Sequence, residues 1–159
     1  MDRPPACAGT RARADNSAAA IEKLIAGNVS VLVLADIGKL TETTAERIAK
    51  YVSGGGILVR FAGPRLEQGG DALLPADLRT GGRSLGGALT WSTPQLMAVF
   101  EQTSPFAGLT VPADVTVSRQ VLADPALLTE RTQIWARLVD GTPLVTAKRQ
   151  GKGLIVLFH

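Results

Sequence analysis

The sequence predicts an α/β fold: a three-layer αβα arrangement in which a sheet with a parallel core ends in antiparallel C-terminal hairpins. Two observations carry this prediction. Residues 29–64 contain an apolar strand, an amphipathic helix, a glycine stop and a second apolar strand, which is the order of a βαβ unit. The last third of the chain instead contains strand-like runs separated by short turns. We therefore expect one α/β domain over residues 17–159, preceded by a leader over residues 1–16.

The first two elements are a short helix and a strand. The helix is predicted to begin at Asn16 or Ser17, and Gly27 is a typical stop just beyond its end. Residues 29–35 then form a run that is apolar except at Ser30 and that contains three β-branched valines. Such a run is typical of a strand that is buried on both faces, as in parallel sheets covered by helices.

A second helix is predicted between the two strands of the βαβ unit. Thr43 and Glu46 have the spacing of a capping box. Apolar residues then recur on one helical face: Ala45, Ile48, Ala49 and Val52. Three glycines at positions 54–56 end the helix, and residues 57–61 return to the sheet. Because the connections are short, we expect the two strands to be parallel.

The middle of the chain, residues 62–90, is rich in glycine and predicts a long loop of the kind that forms a functional lid or a mobile segment. Ser92-Thr93-Pro94 predicts a further helix with proline in its first turn. Asp140-Gly141 is a strong hairpin signal. Strands are predicted at residues 115–122, 133–139, 144–147 and 154–158.

Composition excludes several classes of function. The chain has 159 residues, 45% of them hydrophobic and 19% charged, as in ordinary globular domains. Its net charge is +3, but the basic residues are scattered and only 4% of residues are aromatic, so we expect no nucleic-acid binding. The single cysteine, Cys7, offers neither a disulfide nor a metal site, and we expect no metal and no cofactor. No apolar run approaches about 20 residues, so we expect no direct membrane insertion.

Candidate site residues follow the strands of the βαβ unit. In open α/β sheets, ligands and catalytic groups gather beyond the carboxyl ends of the strands. Neither turn supplies a Ser or Cys nucleophile. The residues that could form a ligand cleft or a vestigial site are Asp36, Gly38, Arg60, Phe61, Ala62, Gly63, Arg65 and the terminal His159.

Each polar candidate has a plainer interpretation beside the functional one. Asp36 could bind a substrate hydroxyl or a metal, but an Asp at such a position typically caps a turn. Arg60 and Arg65 could hold an anion. Because Arg60 alternates with apolar neighbours, the alternative is that it lies at a sheet edge or faces a helix.

Two segments resemble the class I glutamine-amidotransferase-like superfamily, in its branch similar to trehalose-utilisation proteins: LVLADIGKLTETTAERIAKYVSGGGILVRFAG and WARLVDGTPLVTAKRQGKGLIVLFH. Within this group, the chain resembles the domain that lies within large bacterial membrane proteins with an aerotolerance-regulator-type amino-terminal region. The resemblance covers residues 17–159. It implies a flavodoxin-like fold and a chain that is part of a longer protein.

The resemblance also implies a lost active site. Enzymes of this family place a catalytic cysteine at a sharp strand-to-helix turn, which residues 60–63 match here. Phe61 and Ala62 have no nucleophilic atom, so a thioester mechanism is excluded at this turn. His159 matches the position of the family's histidine, but a histidine without a nucleophile is not a triad. We therefore expect no catalytic residue.

The function that the sequence favours is that of a non-catalytic binding or interaction domain. The resemblance implies a soluble domain of a bacterial inner-membrane protein, on the periplasmic side, with the cytoplasmic side as the alternative. Its partners would be other domains of the same parent protein or envelope proteins, contacted through residues 63–90. Two alternatives stay open. One is a hydrolase or amidotransferase-like enzyme that acts on a small polar substrate through Asp36, Arg60 and a histidine delivered from elsewhere. The other is a domain that binds a small molecule, either a sugar or a nucleotide.

Overall fold

The computed structural model of the protein describes residues 17–79, 88–124 and 128–159. These residues form a mixed α/β structure, as the sequence predicts. The helices are α1 (Ser17–Ala26), α2 (Glu42–Ser53) and α3 (Pro64–Glu67), and the strands are β1 (Val31–Ala35), β2 (Ile57–Phe61), β3 (Ala88–Leu96), β4 (Thr116–Val121), β5 (Thr132–Arg137), β6 (Pro143–Gln150) and β7 (Gly153–Phe158). The leader, residues 1–16, lies outside the described residues.

The main sheet has five strands in the order β1-β2-β7-β6-β5, and β3 and β4 form a separate two-stranded sheet. β1 pairs parallel with β2, where Val33 lies opposite Val59, and β2 pairs parallel with β7, where Val59 lies opposite Val156. β6 pairs antiparallel with both β7 and β5. The predicted parallel βαβ unit and the antiparallel C-terminal hairpins are therefore confirmed.

Both long helices pack on the same face of this sheet. Side chains alternate between the two faces along a strand. Leu32 and Leu34 of β1 belong to one buried cluster with Ile21 of α1 and with Ile48 and Val52 of α2. The even-numbered side chains of β1 therefore face the helical layer.

In the part of the chain that the structure describes, the opposite side is exposed along β1 and at Phe61, whereas Ile57 and Val59 of β2 are half-buried. Val31 is 46% exposed, Val33 55% and Phe61 41%. The prediction that residues 29–35 are buried on both faces is thus wrong for this side, because α1 and α2 both lie on the other one. We call this surface the open face; it consists of Val31, Val33, Ala35, Ile57, Val59 and Phe61.

Two local predictions about helices are also wrong. The cap of helix α2 lies two residues before the expected one, because the hydroxyl oxygen of Thr41, rather than that of Thr43, accepts a hydrogen bond from the backbone N–H of Thr44 at 3.4 Å. The helix expected at residues 92–94 is part of strand β3, which pairs antiparallel with β4. The pairing is irregular between Thr90 and Gln95, and Pro94, which has no N–H to donate, lies within that irregularity.

Much of the glycine-rich segment is packed rather than solvated. Leu66, Leu74 and Leu78 are buried in one cluster with Val121 and Leu157. The expected flexible contact loop is therefore wrong for residues 63–79, because their leucines fill the space beside β7. Residues 80–87 lie outside the described residues. None of the described helices is both long enough and apolar enough to cross a membrane.

Candidate functional site

Asp36 follows β1 directly and holds the start of α3. Its φ of 46° lies in the left-handed region, which Asp adopts more readily than most residues. Its Oδ1 accepts hydrogen bonds from the backbone N–H groups of Arg65 at 3.0 Å and of Leu66 at 3.3 Å. Asp36 therefore acts as a cap, as the plainer interpretation predicts, but it caps an element that lies 29 residues further along the chain.

The turn after β2 leaves no room for a side chain at its last position. A Cβ atom at Gly63 would lie 2.5 Å from Cγ of Asp36. The N–H of Ala62 donates to the carbonyl oxygen of Phe158 at 2.7 Å. The ring of Phe61 stacks on that of Phe158 with centroids 4.7 Å apart. Packing thus fills the turn, and its side chains offer no atom that could attack a substrate.

Arg60 lies on the helix-facing side of β2 and is completely buried. Its Nη1 donates to Oδ1 of Asp71 at 2.7 Å. Its Nη2 donates to the carbonyl oxygens of Ile37 at 2.9 Å and of Gly38 at 3.3 Å. Arg60 therefore joins the loop after β1 to the segment after α3, and its charge is compensated within the fold.

Asp71 is the partner that sequence reasoning misses. Besides Arg60, it accepts hydrogen bonds from the backbone N–H groups of Leu40 at 3.2 Å and of Leu73 at 3.0 Å. The burial of Arg60 implies such a partner, because a fully buried arginine requires a carboxylate or equivalent acceptors. The sequence does not say which of the chain's carboxylates supplies them.

His159 follows β7 and is held by two other strands. Its Nδ1 lies 3.1 Å from the carbonyl oxygen of Val121, and its Nε2 lies 2.9 Å from the hydroxyl of Thr146. Since a carbonyl can only accept, Nδ1 carries the proton and Nε2 accepts from the threonine. Burial lowers the pKa of His159 from 6.5 to about 4. The ring is therefore neutral at pH 7, with both nitrogens engaged in structural contacts.

The candidate residues lie at or beyond the ends of neighbouring strands, but they do not form one constellation. Asp36, Arg60 and His159 each have their own partners and make no hydrogen bond to one another. Arg65 contributes its backbone N–H rather than its guanidinium. Gly38 allows a close approach, since a Cβ there would lie 3.0 Å from the carbonyl oxygen of Arg65. Among the described residues, no group of three or more His, Cys, Asp or Glu could hold a metal ion.

A cavity of about 750 Å³ lies at the opposite edge of the sheet, where sequence reasoning places no site. It is bordered by the C-terminal turns of α1 and α2, by residues 28–30 just before β1, and by Ile57 at the start of β2. Lys50 and Arg47 line it, and Arg47 pairs with Glu22 at 3.1 Å. The hydroxyl of Tyr51 donates to the carbonyl oxygen of Ile57 at 3.3 Å, and burial raises the pKa of this tyrosine.

No protein-family model matches the chain, and no curated protein matches it in sequence. Solved structures do match. The cytoplasmic protein STM3548 from Salmonella typhimurium is 17% identical with a TM-score of 0.63, over 87% of this chain and 62% of that one. The cytoplasmic protein STM1381 from Salmonella typhimurium LT2 is 20% identical with a TM-score of 0.61, over the same shares. The chain thus spans about three fifths of the length of these two proteins.

A β-galactosidase from Bacillus circulans sp. alkalophilus is a more distant match. It is 14% identical with a TM-score of 0.57, and the match covers 83% of this chain but 20% of the enzyme. At these identities the three matches show a shared fold alone. None of their names describes an amidotransferase or an aerotolerance protein. The family resemblance therefore remains an expectation drawn from the sequence.

Proposed function

We propose that this chain is a non-catalytic, amidotransferase-like interaction domain of a larger bacterial membrane-associated protein. The observation that carries the proposal is the open face, on which Val31, Val33 and Phe61 are between 41% and 55% exposed. Parallel sheets are normally covered on both faces. A contiguous apolar surface on a folded domain marks a place where another element or protein packs.

The contacts at the carboxyl edge support the absence of catalysis. A general base must reach the proton that it removes, and a nucleophile must reach the atom that it attacks. Asp36 and Arg60 are instead engaged with backbone and side-chain groups of neighbouring loops. His159 is enclosed between Val121 and Thr146. Converting this edge into an active site would require breaking contacts that hold the fold together.

The partner that we propose completes the fold. A flavodoxin-like three-layer arrangement needs helices on both faces of the sheet, and the described helices supply one layer. We assign the second layer to another domain of the parent protein or to an envelope protein. The sequence resemblance favours the periplasmic side of the inner membrane, whereas two structural neighbours are named cytoplasmic proteins. Fractionation of cells that make the native protein decides between the two compartments.

The cavity at the amino edge of the strands favours a second candidate function, the binding of a small molecule. Its volume of about 750 Å³ falls within the usual range of ligand pockets. Because Glu22 also lines it and pairs with Arg47, the cationic side chain that suits an anionic sugar or a nucleotide is that of Lys50. A thermal-shift screen with these compounds tests it. A ligand of this cavity raises the melting temperature of the native chain and does so less for Lys50→Ala.

Site-specific photo-crosslinking in cells that make the native protein tests the interaction function. A photoreactive phenylalanine analogue at position 61 lies on the open face, and the same analogue at position 99 is a matched control. Val99 is 85% exposed and lies outside the open face. We expect a discrete adduct from position 61 and none from position 99. No adduct from position 61, or the same adducts from both positions, overturns the proposal.

A further inference from the structure

Strand β1 forms one edge of the main sheet, yet its sequence is that of an interior strand. It reads VLVLA, with no charged residue and no proline. Its pairing with β2 is regular over all five residues. Natural proteins protect exposed sheet edges with charges, prolines, bulges or covering segments, because an unprotected edge pairs with other strands. β1 carries none of the first three features.

The other edge of the same sheet is protected. Strand β5 pairs with β6 in an irregular register between Ile134 and Arg137. The segment beside it also covers its end, because the N–H of Ala98 donates to the carbonyl oxygen of Arg137 at 2.9 Å and Met97 bridges to Leu138. Among the described residues, one edge of the sheet is therefore closed and the other is open.

The backbone of β1 shows which groups this edge presents. The carbonyl oxygen of Ser30 accepts a hydrogen bond from the N–H of Ile57 in β2. The N–H of Asp36 donates to the carbonyl oxygen of Phe61, also in β2. Because backbone groups alternate in direction along a strand, the even-numbered residues point to β2. The N–H and C=O groups of Val31, Val33 and Ala35 therefore point away from the sheet. The side chains of these same residues belong to the open face.

We propose that β1 pairs antiparallel with β1 of a second copy of this chain, about a two-fold axis at Val33. Val33 then lies opposite Val33 of the partner subunit, and Val31 lies opposite Ala35 of the partner subunit. Every outward N–H and C=O group of the strand gains a partner. The axis is perpendicular to the sheet, so the open faces of both copies lie on the same side and join. The inference extends the proposed function, since the joined surface is a wider version of the same contact face.

A second copy fits this edge because β1 is complementary to itself. The strand is apolar at every position, so the antiparallel register places apolar residues opposite apolar residues in both directions. A two-fold interface requires this property, since each subunit contributes the same patch. A pair of five-residue strands buries less surface than a standard interface of about 1,600 Å², so we expect a dimer with a dissociation constant between about 1 and 100 µM.

Sedimentation equilibrium of the native chain, at concentrations up to about 300 µM, measures whether it dimerises. Two matched pairs of variants test whether the dimer forms through β1. Val33→Lys places a charge on the axis, whereas Val99→Lys makes the same change at an exposed site away from it. We expect Val33→Lys to weaken the dimer at least tenfold and Val99→Lys to leave it unchanged. In a Cys7→Ser background, Val33→Cys should form a covalent dimer with a short bis-maleimide, and Val99→Cys should not.

A monomer at the highest concentration overturns the inference, as does a dimer that Val33→Lys leaves intact or that Val33→Cys fails to cross-link. The crosslinking experiment at position 61 separates this inference from the proposed function. A monomer that still forms the adduct from position 61 overturns self-pairing and leaves the interaction function standing. A β1-paired dimer in which position 61 cross-links neither to another protein nor to another domain of the parent protein supports self-pairing and overturns the interaction function.

Discussion

Arg60 and Asp71 form a buried ion pair, with Nη1 of the arginine 2.7 Å from Oδ1 of the aspartate and with side chains 1% and 6% exposed. The pair lies where an α/β enzyme would carry its reactive groups. Arg60 also holds two carbonyl oxygens of the loop after β1, and Asp71 holds two backbone N–H groups. The polar side chains beside the carboxyl edge therefore tie loops together.

Removing the arginine of this pair should unfold the protein more readily. We expect Arg60→Met to lower the free energy of unfolding by about 3–5 kcal/mol, because Asp71 is left buried without a cation. Urea denaturation measures the loss. Arg47→Met is the matched control, since Arg47 pairs with Glu22 on the surface and should cost at most about 1 kcal/mol. Equal losses from the two variants would contradict a structural role for the buried pair.

Gly63 should not tolerate a methyl group. The backbone at Gly63 is extended, so the obstacle is steric: the new Cβ would lie 2.5 Å from Cγ of Asp36. We expect Gly63→Ala to cost about 1–3 kcal/mol of stability, as overpacked sites do. At Gly69 nothing lies within 4 Å of the added atom, and Gly69→Ala should be close to neutral. Thermal unfolding of the two variants gives the comparison, and equal melting temperatures would refute it.

The cap that Asp36 provides should depend on an acceptor oxygen rather than on charge. We expect Asp36→Ala to lower the free energy of unfolding by about 1–2 kcal/mol, since two N–H groups at the start of α3 lose their acceptor. Asp36→Asn retains one oxygen and also adopts the left-handed conformation, so it should lose less than half as much. Chemical denaturation of both variants measures the difference. An asparagine as damaging as the alanine would point to a role for the negative charge.

Stability should fall as the pH drops from about 6.5 to about 4. Burial lowers the pKa of His159 in the folded chain to about 4 from 6.5, so in this interval the unfolded chain binds a proton that the folded chain does not. The imidazole is the only one in the sequence. Its full contribution amounts to about 3 kcal/mol. Denaturation curves of the native chain and of His159→Gln across this pH interval measure the contribution. The unfolding free energy of the variant should change less with pH, because it lacks the part that comes from His159. An identical pH dependence of the two proteins would rule out His159 as the source.

The main sheet can be predicted from the sequence because short, local sequence patterns mark its strands. The apolar runs of β1 and β2, the helix between them and the Asp140-Gly141 turn each reveal themselves within a few residues. The prediction fails where the outcome depends on distant partners. Residues 92–94 have the local pattern of a helix start, but pairing with β4 makes them part of a strand.

The site is less predictable than the fold for the same reason. The positions of Asp36 and Arg60 near strand ends follow from the βαβ pattern, and that of His159 follows from the resemblance and the last predicted strand. Their partners are 29, 11 and 38 residues away in sequence, respectively, and no local pattern identifies such pairs. The open face could not be predicted either, because an apolar β-branched run looks the same whether or not a second layer covers it.

We propose that the carboxyl edge of the sheet holds the fold together and carries out no reaction. Hydrolysis of a panel of amides and esters, including glutamine and p-nitrophenyl esters, by the purified chain and by Asp36→Asn tests it most directly. The account predicts rates no higher than those in buffer for both proteins. Turnover by the native chain that Asp36→Asn abolishes, while the unfolding curve of the variant stays near that of the native chain, would contradict it.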